Sequence, residues 1–296
     1  MERNNPVSSE IVGTEIHGEE RSIGAVLIRA GRLTLNHVER ILALQRAKGL
    51  RFGDAAIQLR LLNQADIEFA LARQFDYFYL LPGESKVSDD LVAAYAPFSP
   101  HAEALRALRS QLMLRWFSIN NHANKVLAVV SAERNEGRSY IAANLAVVFS
   151  QLGLRTLLID ADMRNPSQHN LFGIDNASGL SAALSGRVDS VMVKHVPGLP
   201  DLWLITAGAL PPNPLELLTR AQFPKLLEEL KQKFNVILLD SPAAADYADA
   251  QTVAVRAGAT LIVARKNATR NWQVRGVSES VTQASAVVVG TVFNDF

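Results

Sequence analysis

Apolar residues in the C-terminal two thirds of the chain gather in short solid runs, separated by stretches where they recur every three or four positions. The runs are VLAVV from Val126, TLLID ending at Asp160, WLITA from Trp203, VILLD ending at Asp240, ATLIVA from Ala259 and VVVGTVF from Val287. Runs of this length without alternation read as strands covered on both faces. Between them lie helical patterns: HAEALRALRSQLMLRWF (101–117), the Ala-rich SYIAANLAVVFSQLGL from Ser139, a short helix from about Pro214, FPKLLEELKQKF and NWQVRGVSESVTQAS. Strand and helix in alternation predict an α/β fold, a doubly wound, mostly parallel sheet over residues 101–296.

The N-terminal third has a different rhythm. RSIGAVLIRAGRLTLNHVERILALQ is followed, 29 residues on, by LRFGDAAIQLRLLNQADIEFALARQ. The offset pairs Gly24 with Gly53, Ile28 with Ile57, Val38 with Ile67 and Gln45 with Gln74. Each copy predicts a short helix, a turn and a longer helix. Two copies can bury their apolar faces against each other, so residues 19–82 are expected to form a small, mainly helical repeat domain. Residues 1–18 are polar and read as a disordered lead-in, and 83–100, punctuated by Pro and Ser, as a linker.

The repeat resembles the N-terminal domain of pilus and type II secretion assembly ATPases, whose tandem motif can bind cyclic di-GMP. By that resemblance Gly24, Gln45, Arg51, Gly53 and Gln74 would be the ligand residues. In the family each copy opens Arg-Leu-Gly. Here the second copy reads Arg51-Phe52-Gly53, the first reads Ser22-Ile23-Gly24, and Arg60 replaces a glycine of the second copy. A helical docking module that does not bind the ligand is the alternative.

Composition narrows the classes. With 48% hydrophobic and 20% charged residues the chain reads as globular, and a formal net charge of +1 gives no reason to expect nucleic acid as a partner. There is no cysteine, so disulfide and thiolate chemistry are excluded. No apolar run approaches the roughly 20 residues that span a bilayer, and the N-terminus is unlike a signal peptide. A cytoplasmic protein is expected, peripheral at a membrane only through a partner.

Candidate chemistry lies at the ends of the apolar runs. The turn after VLAVV, Ala132 to Ser139, has the layout G-x-x-x-x-G-K-[ST] of a phosphate-binding loop, with Ala132 at the first Gly and Arg138 at the Lys. Such loops aim backbone N–H groups and a helix N-terminus at phosphates, while a cation and a hydroxyl complete the site. On its own this turn is also an ordinary strand–helix connection. TLLID, however, ends in Asp160-Ala161-Asp162-Met163-Arg164, and VILLD ends in Asp240. Residues two apart on a strand share a face, so Asp160 and Asp162 are expected to point together beyond the strand's C-terminal end, where ligands of parallel sheets sit. Paired carboxylates there suggest Mg²⁺. On the 101–117 helix Glu103, Arg106 and Arg109 recur every three residues, which intrahelical ion pairing would explain.

SAERNEGRSYIAANLA, TLLIDADMRNP, PPNPLELL and VILLDSPA together resemble the bacterial tyrosine kinases of exopolysaccharide assembly, nearest the EpsG-type chain-length-determinant kinases. The resemblance runs from about residue 100 to the C-terminus and implies a P-loop NTPase fold of the ParA/MinD kind, ATP and Mg²⁺, and a tyrosine hydroxyl as acceptor. It implies Asn135, Glu136, Gly137, Arg138, Ser139, Tyr140 and Arg164 at the nucleotide and Ser139, Asp160 and Asp240 at the metal. Arg138, Asp160 and Asp162 would act in catalysis. Glu103, Arg106 and Arg109 match the family's ring-forming motif, implying a homo-oligomer, and the expected partner is an integral-membrane polysaccharide copolymerase.

Two departures stand out. Arginine replaces the loop lysine, and the family's tyrosine cluster is missing: the five tyrosines are Tyr77, Tyr79, Tyr95, Tyr140 and Tyr247. A nucleotide-gated scaffold that phosphorylates no protein is therefore a second reading. A positioning ATPase of the ParA/MinD type is a third, against which the lack of a lysine in Ser131-Ala132-Glu133 counts.

Overall fold

The computed structural model describes residues 22–75, 77–81, 83, 85–117, 124–188 and 191–295. The expected lead-in of residues 1–18 lies outside them. The chain divides into two compact units between Phe78 and Tyr79.

The first unit holds helices α1 (Ile23–Arg29), α2 (Leu35–Lys48), α3 (Phe52–Gln58) and α4 (Gln64–Gln74). Helix starts are set by side chains that cap otherwise unpaired N–H groups: Ser22 for α1, Thr34 with His37 for α2, Asn63 with Asp66 for α4. The copies interlock, since α1 packs on α4 and α2 on α3. The repeated glycines sit at further contacts, Gly24 of α1 against α2 and α3 and Gly53 of α3 against α4. A Cβ on Gly24 would lie 3.6 Å from both Phe52 and Val38, and one on Gly53 only 3.1 Å from Ile67. Gly31 turns the chain after α1 at φ 69°, and Arg60, one repeat later, holds the same left-handed conformation at φ 55°.

The second unit is built on a sheet of seven strands in the order β3-β4-β2-β5-β1-β6-β7. They are β1 (Val126–Ser131), β2 (Thr156–Asp160), β3 (Lys194–His195), β4 (Leu202–Ile205), β5 (Val236–Asp240), β6 (Ala259–Arg265) and β7 (Val287–Asn294). All pairings are parallel except β3 with β4, a two-residue edge strand too short to show in the apolar pattern. Every residue of β1, β2 and β5 is buried, as solid apolar runs require. Two apolar clusters cover the two sheet faces, one including α7 (Arg138–Ser150), the other α11 (Gln222–Lys231) and α12 (Asp249–Ala257).

Residues 83–100 are not a linker. Leu80, Val87, Leu91, Ala93 and Ala94 are buried in the second unit's core. Tyr95 Oη donates to the Val87 carbonyl at 2.6 Å, and the Ser88 N–H donates to the Leu171 carbonyl at 2.8 Å. The short α5 (Val92–Tyr95) and long α6 (Pro100–Arg115) pack on the outer side of α7. With sheet on one side and these helices on the other, α7 is buried from Ile141 to Ser150, which is why its sequence shows no polar stripe.

Candidate functional site

The two aspartate-bearing segments and the β1–α7 turn converge at the C-terminal edge of the sheet. Asp160 and Asp240 end adjacent strands and are paired in register. Asn135 at φ 59° and Gly137 at φ 84° curl the turn and bring the chain onto the first residue of α7, Arg138. In front lies a cleft of about 410 Å³ lined by residues 134–140, Asp162, Asn165, Ser167, Pro242, Ala243, Asp246 and Tyr247.

Arg138 links the floor of the cleft. Its Nε donates to Asp240 Oδ1 at 3.1 Å, Nη2 to Asp162 Oδ2 at 3.1 Å and Nη1 to Ser131 Oγ at 3.0 Å. Ser139 lies beside Asp240 and, with Arg138 and Gln168, favours its charged form. Burial pushes the Asp240 carboxyl above the usual carboxylate range, opposed by the Arg138 charge. Asp160 is pushed up further by burial and by Asp240 beside it.

The expected partnership of Asp160 and Asp162 takes another form. The strand stops at Asp160, whose carboxylate is fully buried and accepts N–H groups from Asp162 (3.2 Å), Ser167 (3.1 Å) and Gln168 (3.0 Å). Asp162 alone of the two lines the cleft. Its Oδ1 closes a turn by accepting from Arg164 N and Asn165 N, leaving Oδ2 to Arg138.

Three residues expected at the nucleotide have side chains engaged elsewhere. Glu136 is buried, accepting from Glu133 N at 2.8 Å and from the Thr269 hydroxyl, so its carboxylate shapes the loop. Tyr140, at the edge of the cleft, packs against the core, where burial raises its phenol pKa. Arg164 pairs with buried Asp249 at 2.8 and 3.1 Å and covers the Tyr247 ring at 3.7 Å. On α6, Arg106 binds Glu103 (2.6 Å) and the Pro97 carbonyl (2.5 Å), while Arg109 donates to the Val148 carbonyl at 2.6 Å; the Glu103 side chain stays 71% exposed. In the first unit Arg51 is exposed, Gln45 and Gln74 are half-buried, and Gly24 and Gly53 are packing positions. Sequence reading passed over Gln168, Asp246, Tyr247 and Thr269, none of which belongs to a spacing pattern.

The residues present fit a magnesium nucleotide. Among the described residues no three acidic or His side chains form a metal cluster, and a guanidinium stands between the carboxylates. Mg²⁺ is commonly held by one or two carboxylates together with substrate phosphates, so a set of this size suits a cation that arrives with its nucleotide. The Arg138 guanidinium marks where positive charge is accepted.

No protein-family model matches the chain. CapB of Staphylococcus aureus, named as a tyrosine-protein kinase, is 35% identical over 203 residues, which cover 67% of this chain and 86% of CapB. EpsB of Ralstonia solanacearum, similarly named, is 34% identical over 204 residues, 69% of this chain; the chain spans only 27% of that longer relative. The solved kinase domain of the Escherichia coli tyrosine kinase ETK superposes with a TM-score of 0.67 at 30% identity, over 75% of this chain and 85% of that one. The fold alone extends to the cell division ATPase MinD of Pyrococcus furiosus, at a TM-score of 0.51 and 22% identity over 57% of this chain and 71% of MinD.

Proposed function

We propose that this chain, which belongs to the bacterial tyrosine-protein kinase family, transfers the terminal phosphoryl group of ATP to tyrosine hydroxyls. The observation that carries the reading is the meeting of Arg138, Ser139 and Asp162 in one strand-end cleft beneath a phosphate-loop turn, with Asp240 buried against Arg138. Magnesium-bound ATP supplies the phosphoryl group and neutralises part of its charge. Backbone N–H groups of residues 135–139 would hold the phosphates, and Ser139 and Asp240 would hold the cation. Asp162, the carboxylate at the cleft surface, accepts the tyrosine proton. Asp160, buried behind it, would support the metal side of the site rather than act as a surface base. Positioning and charge neutralisation account for most catalysis of this kind.

The wider role follows the family resemblance of the motifs. The chain would regulate exopolysaccharide polymerisation and chain length as a homo-oligomer at the cytoplasmic side of an integral-membrane copolymerase, with exposed Glu103 at the subunit contact. Among the described residues no helix is long and apolar enough to cross a membrane. For the repeat unit a docking role is favoured over cyclic di-GMP, since Val38, Phe52 and Ile67 fill the space beside both glycines.

One observation favours the scaffold reading: Arg138 is held by two carboxylates, so phosphate must compete for it. ATP labelled on its terminal phosphate, incubated with the chain and the cytoplasmic segment of its copolymerase, separates the two readings. Label in protein tyrosine, lost in Asp160→Ala, is expected. Label released only as free phosphate would make the chain a nucleotide-gated scaffold.

A further inference from the structure

Gln168 opens α8 (Gln168–Leu171), the single turn of helix after the β2 aspartates, and is fully buried. Its Nε2 donates to Asp240 Oδ2 at 2.7 Å and to the Ser139 carbonyl at 3.0 Å. Both partners are acceptors, so the amide can point only one way. Its backbone N–H meanwhile donates to Asp160 Oδ2 at 3.0 Å. One residue thereby ties the first turn of α7 to the ends of β2 and β5.

The same side chain carries a cost. Oε1 is buried without a hydrogen-bond partner, which costs stability. For packing alone, leucine of similar size would serve better, because it has no polar atom to desolvate. What the amide adds is its two donated bonds, and both end on the phosphate-loop and metal-side groups. Asp240 Oδ2 is occupied by Gln168, which leaves Oδ1 as the oxygen facing positive charge, now that of Arg138 Nε at 3.1 Å.

We propose that Gln168 is a positioning residue of the phosphoryl-transfer site, fixing the Asp240 carboxylate relative to Ser139 so that Oδ1 and the Ser139 hydroxyl address the same cation. The inference rests on the kinase reading of the cleft. Supporting shells of this sort typically change metal affinity or activity by about 10–100-fold when removed.

The test is binding of Mn²⁺ to the full chain in the presence of ADP, followed by electron paramagnetic resonance, in wild type, Gln168→Leu and Gln168→Glu. Metal-free ADP binding and thermal melting are measured beside it. Mn²⁺ affinity is expected to fall about 10–100-fold in each folded variant, with metal-free ADP binding unchanged. Leu removes the unpaired Oε1 but leaves Asp240 Oδ2 and the Ser139 carbonyl without their donor, so it should melt somewhat below wild type while keeping metal-free ADP binding. Gln168→Glu, nearly identical in shape, serves if the leucine variant does not fold. Wild-type Mn²⁺ affinity in the variants overturns the proposal and leaves the kinase reading standing. A parallel loss of melting temperature and metal-free ADP binding overturns it in favour of a purely structural role. Failure of wild type itself to bind Mn²⁺ with ADP removes both.

Discussion

Arg138 delivers one positive charge to three acceptors, Asp240, Asp162 and Ser131, through three different nitrogens of its planar fork. Lysine, a compact point charge, cannot span that set. With its side chain only 10% exposed, the guanidinium leaves two buried partners behind whenever it turns to phosphate. Arg138→Lys should therefore raise labelled-phosphate turnover, on the order of threefold to tenfold, by freeing the charge for the phosphates. An equal or slower rate contradicts the view of arginine as a brake. Asp160 gives the second prediction at this scale. Its folded-state pKa is raised by burial and by Asp240, so the native chain keeps this proton to higher pH than the unfolded chain does. That contribution to stability is full below the ordinary carboxylate pKa of about 3.9 and is lost as pH rises through the raised value. In urea unfolding without nucleotide, Asp160→Ala should thus decline less steeply than wild type from acid to neutral pH. Parallel curves would mean that Asp160 is not perturbed.

At the scale of elements, the stretch from Leu80 to Tyr95 is where sequence and structure part. Its apolar residues Leu80, Val87, Leu91, Ala93 and Ala94 are spaced irregularly among Pro, Gly and Ser, and no period marks them as core. Their role depends on contacts far along the chain: Asn144 on α7 accepts from Ala93 N at 3.0 Å, and Gln151 donates to the Ala93 carbonyl at 2.8 Å. Asn144→Ala would leave the Ala93 N–H buried without an acceptor. It should cost about 1–3 kcal/mol in denaturant unfolding, and a change within error would return the segment to a loosely attached linker. The strands and long helices were legible because solid apolar runs bounded by Asp, and the 29-residue repeat, are local signals. So was the cleft's location, since Gly137, Asp160 and Asp240 each follow such a run. Side-chain partners were not. Nothing in the spacing says that Glu136 turns to Thr269, Arg164 to Asp249, or Gln168 to Asp240, because each bond joins residues brought together only by the fold.

Across the whole molecule, a repeat unit and a nucleotide-type unit share one chain of nearly balanced charge, +1 formally. The repeat unit's turn positions show how little the fold asks of particular residues there, since arginine at position 60 takes the conformation that glycine takes at 31. The second unit is more exacting, for its chemistry requires three segments, the β1–α7 turn and the ends of β2 and β5, to meet at one place. A crystal structure of the full chain with ADP and Mn²⁺ examines that requirement most directly. The account predicts the nucleotide phosphates in the 134–140 loop, a metal peak in direct contact with Ser139 Oγ and on the Oδ1 side of Asp240, and Arg138 withdrawn from Asp162 onto phosphate. A nucleotide bound elsewhere, or a metal site that excludes both Ser139 and Asp240, would contradict it.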